Sequence, residues 1–177
     1  MKKLIFSMAT LLAITAVFAF SVAQKWAISD KYSIKFSSSE VAGIFKTFSG
    51  SIDFDEQNPA SSKFDVTIDV NSINTGNGLQ NKHAKGEEWF DAAKYPAIKY
   101  TSKKIVKAGA GYQVTGDLTI KGVTKEYTIP FTFKKAGAGA TFNGSFTVNR
   151  SDFKIGKPGG EVGEQIKIDV AVPVTKG

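Results

Sequence analysis

From about residue 33 to its end, most of this chain alternates apolar and polar residues with a period of two. Ile34 and Phe36 flank Lys35, and Ile52 and Phe54 flank Asp53. Phe64, Val66, Ile68 and Val70 alternate with Asp65, Thr67 and Asp69. Tyr127, Ile129, Phe131 and Phe133 alternate with Thr128, Pro130 and Thr132, and Phe142, Gly144, Phe146 and Val148 continue the habit. Ile166, Ile168, Val170, Val172 and Val174 close the series. Side chains of a strand point to opposite faces in turn, so this pattern demands sheets with one buried and one wet face. The Val, Ile, Phe, Tyr and Thr content suits strands. Turn signals punctuate the runs: 55–59, 108–111, the tight Lys121-Gly122 link, 136–139 and 157–160. Such spacing predicts an all-β, antiparallel barrel or sandwich of about eight strands.

Two places break the rhythm. Pro130 lies inside an apolar strand pattern and has no amide to donate, so an edge, a bulge or a kink is expected there. Between Asn71 and Pro96 the alternation stops, and Leu79, His83, Trp89 and Phe90 fall among charged residues. A short helix or two turns laid across an opening of the barrel is expected, with Asp91 capping a last turn before Tyr95-Pro96.

The first residues have the three-part layout of a secretory signal. Lys2 and Lys3 precede an apolar run from Leu4 to about Phe20, and Ser21-Val22-Ala23 supplies small residues for cleavage after Ala23. The run is short for a membrane span. Residues 1–23 are therefore expected to be removed on export to the periplasm or medium, leaving one domain over 24–177. No Cys follows the small residues, which excludes a lipid-anchored lipoprotein. Without Lys2 and Lys3 the chain has 21 basic against 16 acidic residues, a net +5. These positives are scattered along strand faces without a recognition motif, so no nucleic-acid partner is expected. The lack of Cys also excludes disulfides, thiol catalysis and thiolate metal sites.

Signals for catalysis are sparse. His83 is the single histidine, too few for an ordinary zinc site, and no Gly-x-Ser-x-Gly elbow is present. Residues 156–160 lack the order of a phosphate-binding loop. Asp53, Asp55 and Glu56, like Glu87, Glu88 and Asp91, read as ordinary surface carboxylates. Neither a catalytic residue, a metal site nor a cofactor is predicted. The aromatic load is the larger signal: 14 Phe, two Trp and five Tyr. An eight-stranded barrel either fills with side chains or holds one small ligand. Inward Phe, Ile and Val would line a dry cavity that selects an apolar ligand by burial. Alternation picks as lining residues Phe36, Phe48, Phe54, Val66, Ile68, Ile98, Tyr100, Leu118, Ile129, Phe131 and Phe146. Trp89, Phe90 and Tyr95 are placed at the mouth of an elongated tunnel, entered beside residues 79–95.

Several motifs are similar to those of the YceI-like, polyisoprenoid-binding family of lipocalin-like barrels. Trp26-Ala27-Ile28-Ser29-Asp30 with Ser33-Ile34-Lys35-Phe36 resembles its first strand, and residues 45–55 its second. Residues 68–75 match a further signature, and Asn81 through Ile98 resemble the helical insertion. Residues 116–125 are the most specific match, followed by Arg150-Ser151-Asp152-Phe153 and Val162-Gly163-Glu164. The resemblance spans residues 26–174 in order. It implies a lipocalin-like barrel holding a long isoprenoid chain, such as a polyprenol or quinone tail. Tyr32 stands where the family often has histidine, so a polar contact near that end is expected to differ. Three readings follow: a non-catalytic lipid-binding module, an envelope hydrolase using His83, and a structural or stress-related barrel with a filled core. The first brings transient membrane contact and a homodimer into view as partners besides the lipid.

Overall fold

The computed structural model describes residues 23–177, so the expected signal segment, save Ala23, lies outside the described residues. The alternating runs form β1 (Gln24–Ile28), β2 (Ser33–Ser37), β3 (Ala42–Phe45), β4 (Phe48–Phe54), β5 (Lys63–Asp69) and β6 (Ile73–Asn74). After helix α1 (Gly78–Lys85) come β7 (Ala97–Ala108), β8 (Gly111–Ile120), β9 (Val123–Ala136), β10 (Gly139–Asn149) and β11 (Gln165–Lys176). Neighbours pair antiparallel in the order β1-β4-β5-β7-β8-β9-β10-β11, and β11 returns to β1 through Trp26↔Lys176 and Ile28↔Val174. That closes an eight-stranded barrel and removes its open edges. The other three strands extend it on one side, as β11-β2-β3-β6. Three long strands are thus broken in two: β1 with β2, β3 with β4, and β5 with β6.

Side chains repair the breaks, because a buried or half-buried backbone group needs a partner. Tyr32 Oη accepts from the Phe48 amide at 3.0 Å and donates to the Lys46 carbonyl at 2.9 Å. Ser72 Oγ accepts from the amides of Lys46 and Thr47 and donates to the Asp69 carbonyl at 2.6 Å. Tyr32 thus serves the strand break, and its hydroxyl lies with Lys46 and Phe48 rather than in the cavity described below.

The punctuation falls where the sequence places it. Lys121 and Gly122 have φ of 48° and 74°, the paired positive values of a two-residue hairpin turn that matches strand twist. A side chain at Gly122 would also run into the Tyr95 ring, 2.7 Å from an ideal Cβ. Pro130 pairs with Gln113 on β8, while the β9–β10 ladder stops one residue earlier at Phe131↔Gly144. Proline therefore stands at a local edge. The 71–96 segment holds α1, capped by Asn77 Oδ1 accepting from Leu79 and Gln80 amides at 2.9 and 3.1 Å. The later turn closes on the backbone carbonyl of Asp91, which accepts from Lys94 and Tyr95 amides.

The two ends of the barrel are filled differently. Toward the 108–111 and 136–139 hairpins the interior is solid with rings. Phe54, 1% exposed, has ring centroids at 4.9 Å from Phe133, 5.0 Å from Tyr112, 5.4 Å from Phe142, 5.7 Å from Phe131 and 6.2 Å from Phe64. Trp26 packs edge-on to Phe133 and donates its indole N–H to the Phe54 carbonyl at 3.2 Å. Rings at these separations add to plain burial. Phe54→Ala is expected to cost ~3–5 kcal/mol, since its neighbours are strand-borne and collapse poorly onto a void. Urea unfolding followed by tryptophan fluorescence measures it. A loss under about 1 kcal/mol would show that this cluster does not hold the barrel end.

Candidate functional site

At the opposite end, under α1, the barrel is hollow. A cavity of about 390 Å³ lies between the extension β2-β3-β6 and the walls of β5, β7, β8, β10 and β11. Its sides are Ile34, Phe36, Phe45, Ile68, Ile73, Ile98, Leu118, Ile120, Phe146, Val148, Ile166 and Ile168. Trp89, Phe90, Val41, Ala84, Ile155 and Val162 close over them from the helical segment and the loops. Polar groups reach the cavity from Lys35, Glu40, Thr75, Gln80, His83, Arg150 and Glu161. Such a wall offers a ligand burial and few hydrogen bonds, so it suits an apolar chain over a sugar or nucleotide. Among the described residues no group of three or more His, Asp or Glu is placed to hold a metal.

Two loops form the roof, and one arginine holds them. Arg150, 2% exposed, sits in a 3-10 turn after β10. Nη1 donates to the Ile155 carbonyl at 2.7 Å, and Nη2 to those of Lys157 and Val162 at 3.0 and 2.7 Å. Nε donates to Val162 and Gly163 carbonyls at 3.2 Å, and Nη2 also reaches Glu164 Oε1 at 3.2 Å. The Trp89 ring lies over the guanidinium with its centroid 5.6 Å away. Most of the cation's donors are therefore directed at the loop 155–164. Gly156, at φ 63°, lets that loop pass close to Trp89, whose ring is 3.1 Å from an ideal Cβ. Lys121 Nζ ties the roof to the β8–β9 turn by donating to the carbonyls of Glu87, Glu88 and Lys154.

Two carboxylates pin the same loop. Glu164 accepts from the Ser151 hydroxyl and from the Gly159 amide at 2.9 Å. Glu40, on the β2–β3 turn, accepts from the Gly163 amide at 2.8 Å. The Ser151 hydroxyl, then the Gly159 amide and the charge of Arg150, hold the Glu164 carboxyl below its ordinary value. The Ser39 hydroxyl and the Gly163 amide do the same for Glu40.

Of the positions picked by alternation, Phe36, Ile68, Ile98, Leu118 and Phe146 line the cavity, and so do Trp89 and Phe90 of the segment expected at its mouth. The rest do not. Phe54 and Phe131 are locked in the aromatic cluster at the other end. Ile129 faces Val114 across β8–β9, below the cavity. Val66 and Tyr100 face one another one inward step deeper than Ile68 and Ile98. Phe48 packs on Tyr32 at the strand break, and Tyr95 covers the Lys121-Gly122 turn. The elongated tunnel expected beside residues 79–95 is thus a cavity in one half of the barrel. Alternation reports only which face a side chain takes, so it does not separate the filled half from the hollow one. His83 is exposed at the cavity rim. Arg150 stands in the Arg150-Ser151-Asp152-Phe153 motif, but a lone cation after a strand has no sequence pattern that marks burial.

The family model for the YceI-like domain matches residues 22–174, and the chain belongs to that family. Protein YceI of Escherichia coli is 34% identical over 140 residues, covering 73% of this chain and 71% of that protein. A UPF0312 protein of Photorhabdus laumondii is 49% identical over 83 residues, which is 47% of this chain and 43% of that protein's length. Among solved structures, Burkholderia cenocepacia BcnA superimposes with a TM-score of 0.78 at 35% identity, covering 82% of this chain and 97% of that one. A polyisoprenoid-binding domain from Saccharophagus degradans gives 0.62 at 13% identity, covering 88% of this chain and 99% of that domain, so only the fold is shared.

The roof generates a prediction. A carboxyl lowered in the folded state contributes above its ordinary value, here 4.5, and loses that contribution as pH falls through its folded value. Amide exchange at Gly159 and Gly163, corrected for intrinsic rates, is therefore expected to stay level from about pH 8 to 6 and to accelerate only below about 4.5. Protection that persists to about pH 3 would show that the carboxylates do not pin the loop.

Proposed function

We propose that this protein is a non-catalytic carrier that works outside the cytoplasm and holds the apolar chain of an isoprenoid-type lipid in the chamber beneath α1. The observation that carries this reading is the chamber: a cavity of about 390 Å³ beneath α1 walled chiefly by aliphatic and aromatic side chains. Protein interiors seldom leave such space unfilled, and an apolar void gains nothing from water. A hydrocarbon chain entering it gains roughly 0.8 kcal/mol per buried methylene. Membership of the YceI-like family and the fold shared with a polyisoprenoid-binding domain support the same ligand class. The signal-like start at residues 1–23 supports export. A structural barrel without a ligand calls for a filled lumen, and the hollow half favours the carrier over it. A hydrolase calls for chemistry converging on His83, whereas the groups around the chamber are mostly hydrocarbon.

Substitutions on the walls test the carrier directly. Ile68→Trp and Phe146→Trp fill the chamber and are expected to weaken a fluorescent prenyl probe at least tenfold, at ~1–3 kcal/mol of strain. His83→Ala is expected to leave probe affinity within about twofold, as the exposed ring stands only at the rim. Unchanged affinity in the folded tryptophan variants would remove the chamber as the binding site. Loss of a measurable ester-hydrolysing activity in the His83 variant, with binding kept, would favour the hydrolase.

A further inference from the structure

Among the described residues, Leu79 is the one large apolar side chain that is exposed, at 63%. A lone surface leucine is ordinary on its own, but the setting of this one is not. It lies in the first turn of α1, beside Gln80 and within one turn of His83 and Ala84, and those three line the chamber. Leu79 therefore stands at the mouth without lining the chamber itself. Lys82 and His83 follow at the spacing of one helix face, and both are exposed. From Val70 to Gly86 the chain has no Asp or Glu, although it holds 16 in all. Lys82 and Lys85 enter none of the ion pairs formed by the described residues. A Cβ added at Gly76 or Gly78 would meet nothing within 4 Å, so this tip protrudes into open space. It is also held firmly. Asn81 Oδ1 accepts from the Thr75 amide at 2.8 Å and from its hydroxyl at 3.0 Å, and Asn81 Nδ2 donates to Asn74 Oδ1 of β6 at 3.4 Å.

Resting on the carrier reading above, we propose that this face of α1 is a docking surface for an anionic lipid bilayer. Leu79 enters the boundary between head groups and acyl chains, and Lys82 and Lys85 lie against the phosphates. An apolar side chain flanked by unpaired cations is the pattern of helices that lie on membranes. Docked in this way, the mouth faces the lipid. A prenyl chain then passes from acyl chains to chamber walls with little exposure to water. The carboxylates at the rim, Glu40 and Glu161, belong to the β2–β3 turn and the roof loop, and Glu40 is tied to the Gly163 amide. A second copy docked face to face would set the lysines against one another, so charge favours the bilayer over self-association.

The test measures how fast a fluorescent prenyl probe leaves vesicles for the protein. The vesicles are phosphatidylcholine, alone or with about a quarter phosphatidylglycerol. Wild-type uptake is expected to be about tenfold faster from the anionic vesicles, and the advantage to fade at ~1 M salt. Leu79→Ser is expected to slow uptake from them about tenfold, and to weaken co-flotation of probe-free protein with them by a similar factor. Lys82→Gln combined with Lys85→Gln is expected to remove the preference for anionic vesicles. Both variants are expected to keep their affinity for the probe in vesicle-free buffer within about twofold, since none of the three residues lines the chamber. Wild-type uptake and flotation by folded Leu79→Ser would overturn the docking surface and leave the carrier reading standing. Equal uptake from both kinds of vesicle would overturn the anionic partner. A dimer in sedimentation that Leu79→Ser abolishes, with uptake unchanged, would give the face to a second copy instead. A wild-type protein that floats with anionic vesicles but binds no probe, with or without them, would overturn the carrier reading itself.

Discussion

An eight-stranded barrel of this size has an interior that side chains can just fill, and whatever they leave open must hold something else. The chain meets that constraint twice, in opposite ways. At one end Trp26, Phe54, Phe64, Tyr112, Phe131, Phe133 and Phe142 occupy the lumen ring against ring. At the other end the inward residues are chiefly Ile, Leu and Val with fewer rings, and their smaller volumes leave the chamber. The filled end gives the hollow end rigid walls, because β5, β8 and β10 carry residues of both: Phe64 and Ile68, Tyr112 and Leu118, Phe142 and Phe146. Stability and ligand space are thus segregated along one axis.

The hollow end needs a roof that excludes water, and loops make poor roofs unless their backbone groups are paired. Arg150 meets that need from beneath, its donors directed at carbonyls of a loop that has no ladder of its own. Glu40 and Glu164 complete the arrangement by accepting loop amides. One consequence is chemical. The buried cation beside the chamber directs most of its donors at loop carbonyls rather than at the chamber.

Much of this was legible in the sequence. The period of two, the Lys121-Gly122 turn and the odd placement of Pro130 all follow from local rules, and each appears in the barrel as a strand face, a two-residue turn and the end of a ladder. The 71–96 segment was readable as a cover because its aromatics break the alternation. Three things were not readable. The three broken strands depend on side chains such as Tyr32 and Ser72 reaching backbone groups 14 to 26 residues away. Which half of the lumen is solid depends on how rings from six strands meet, so Phe54 and Phe36 look alike in their own segments. Arg150 acquires its role only when the following loop folds back over it.

The most direct test of the central claim is native mass spectrometry of the protein purified gently from the envelope of its own cells, followed by organic extraction. A chamber that serves as a lipid site predicts a one-to-one complex whose extra mass is released into the organic phase as an isoprenoid-type molecule. A protein that arrives at its bare polypeptide mass, from cells in which prenyl lipids are abundant, would contradict it.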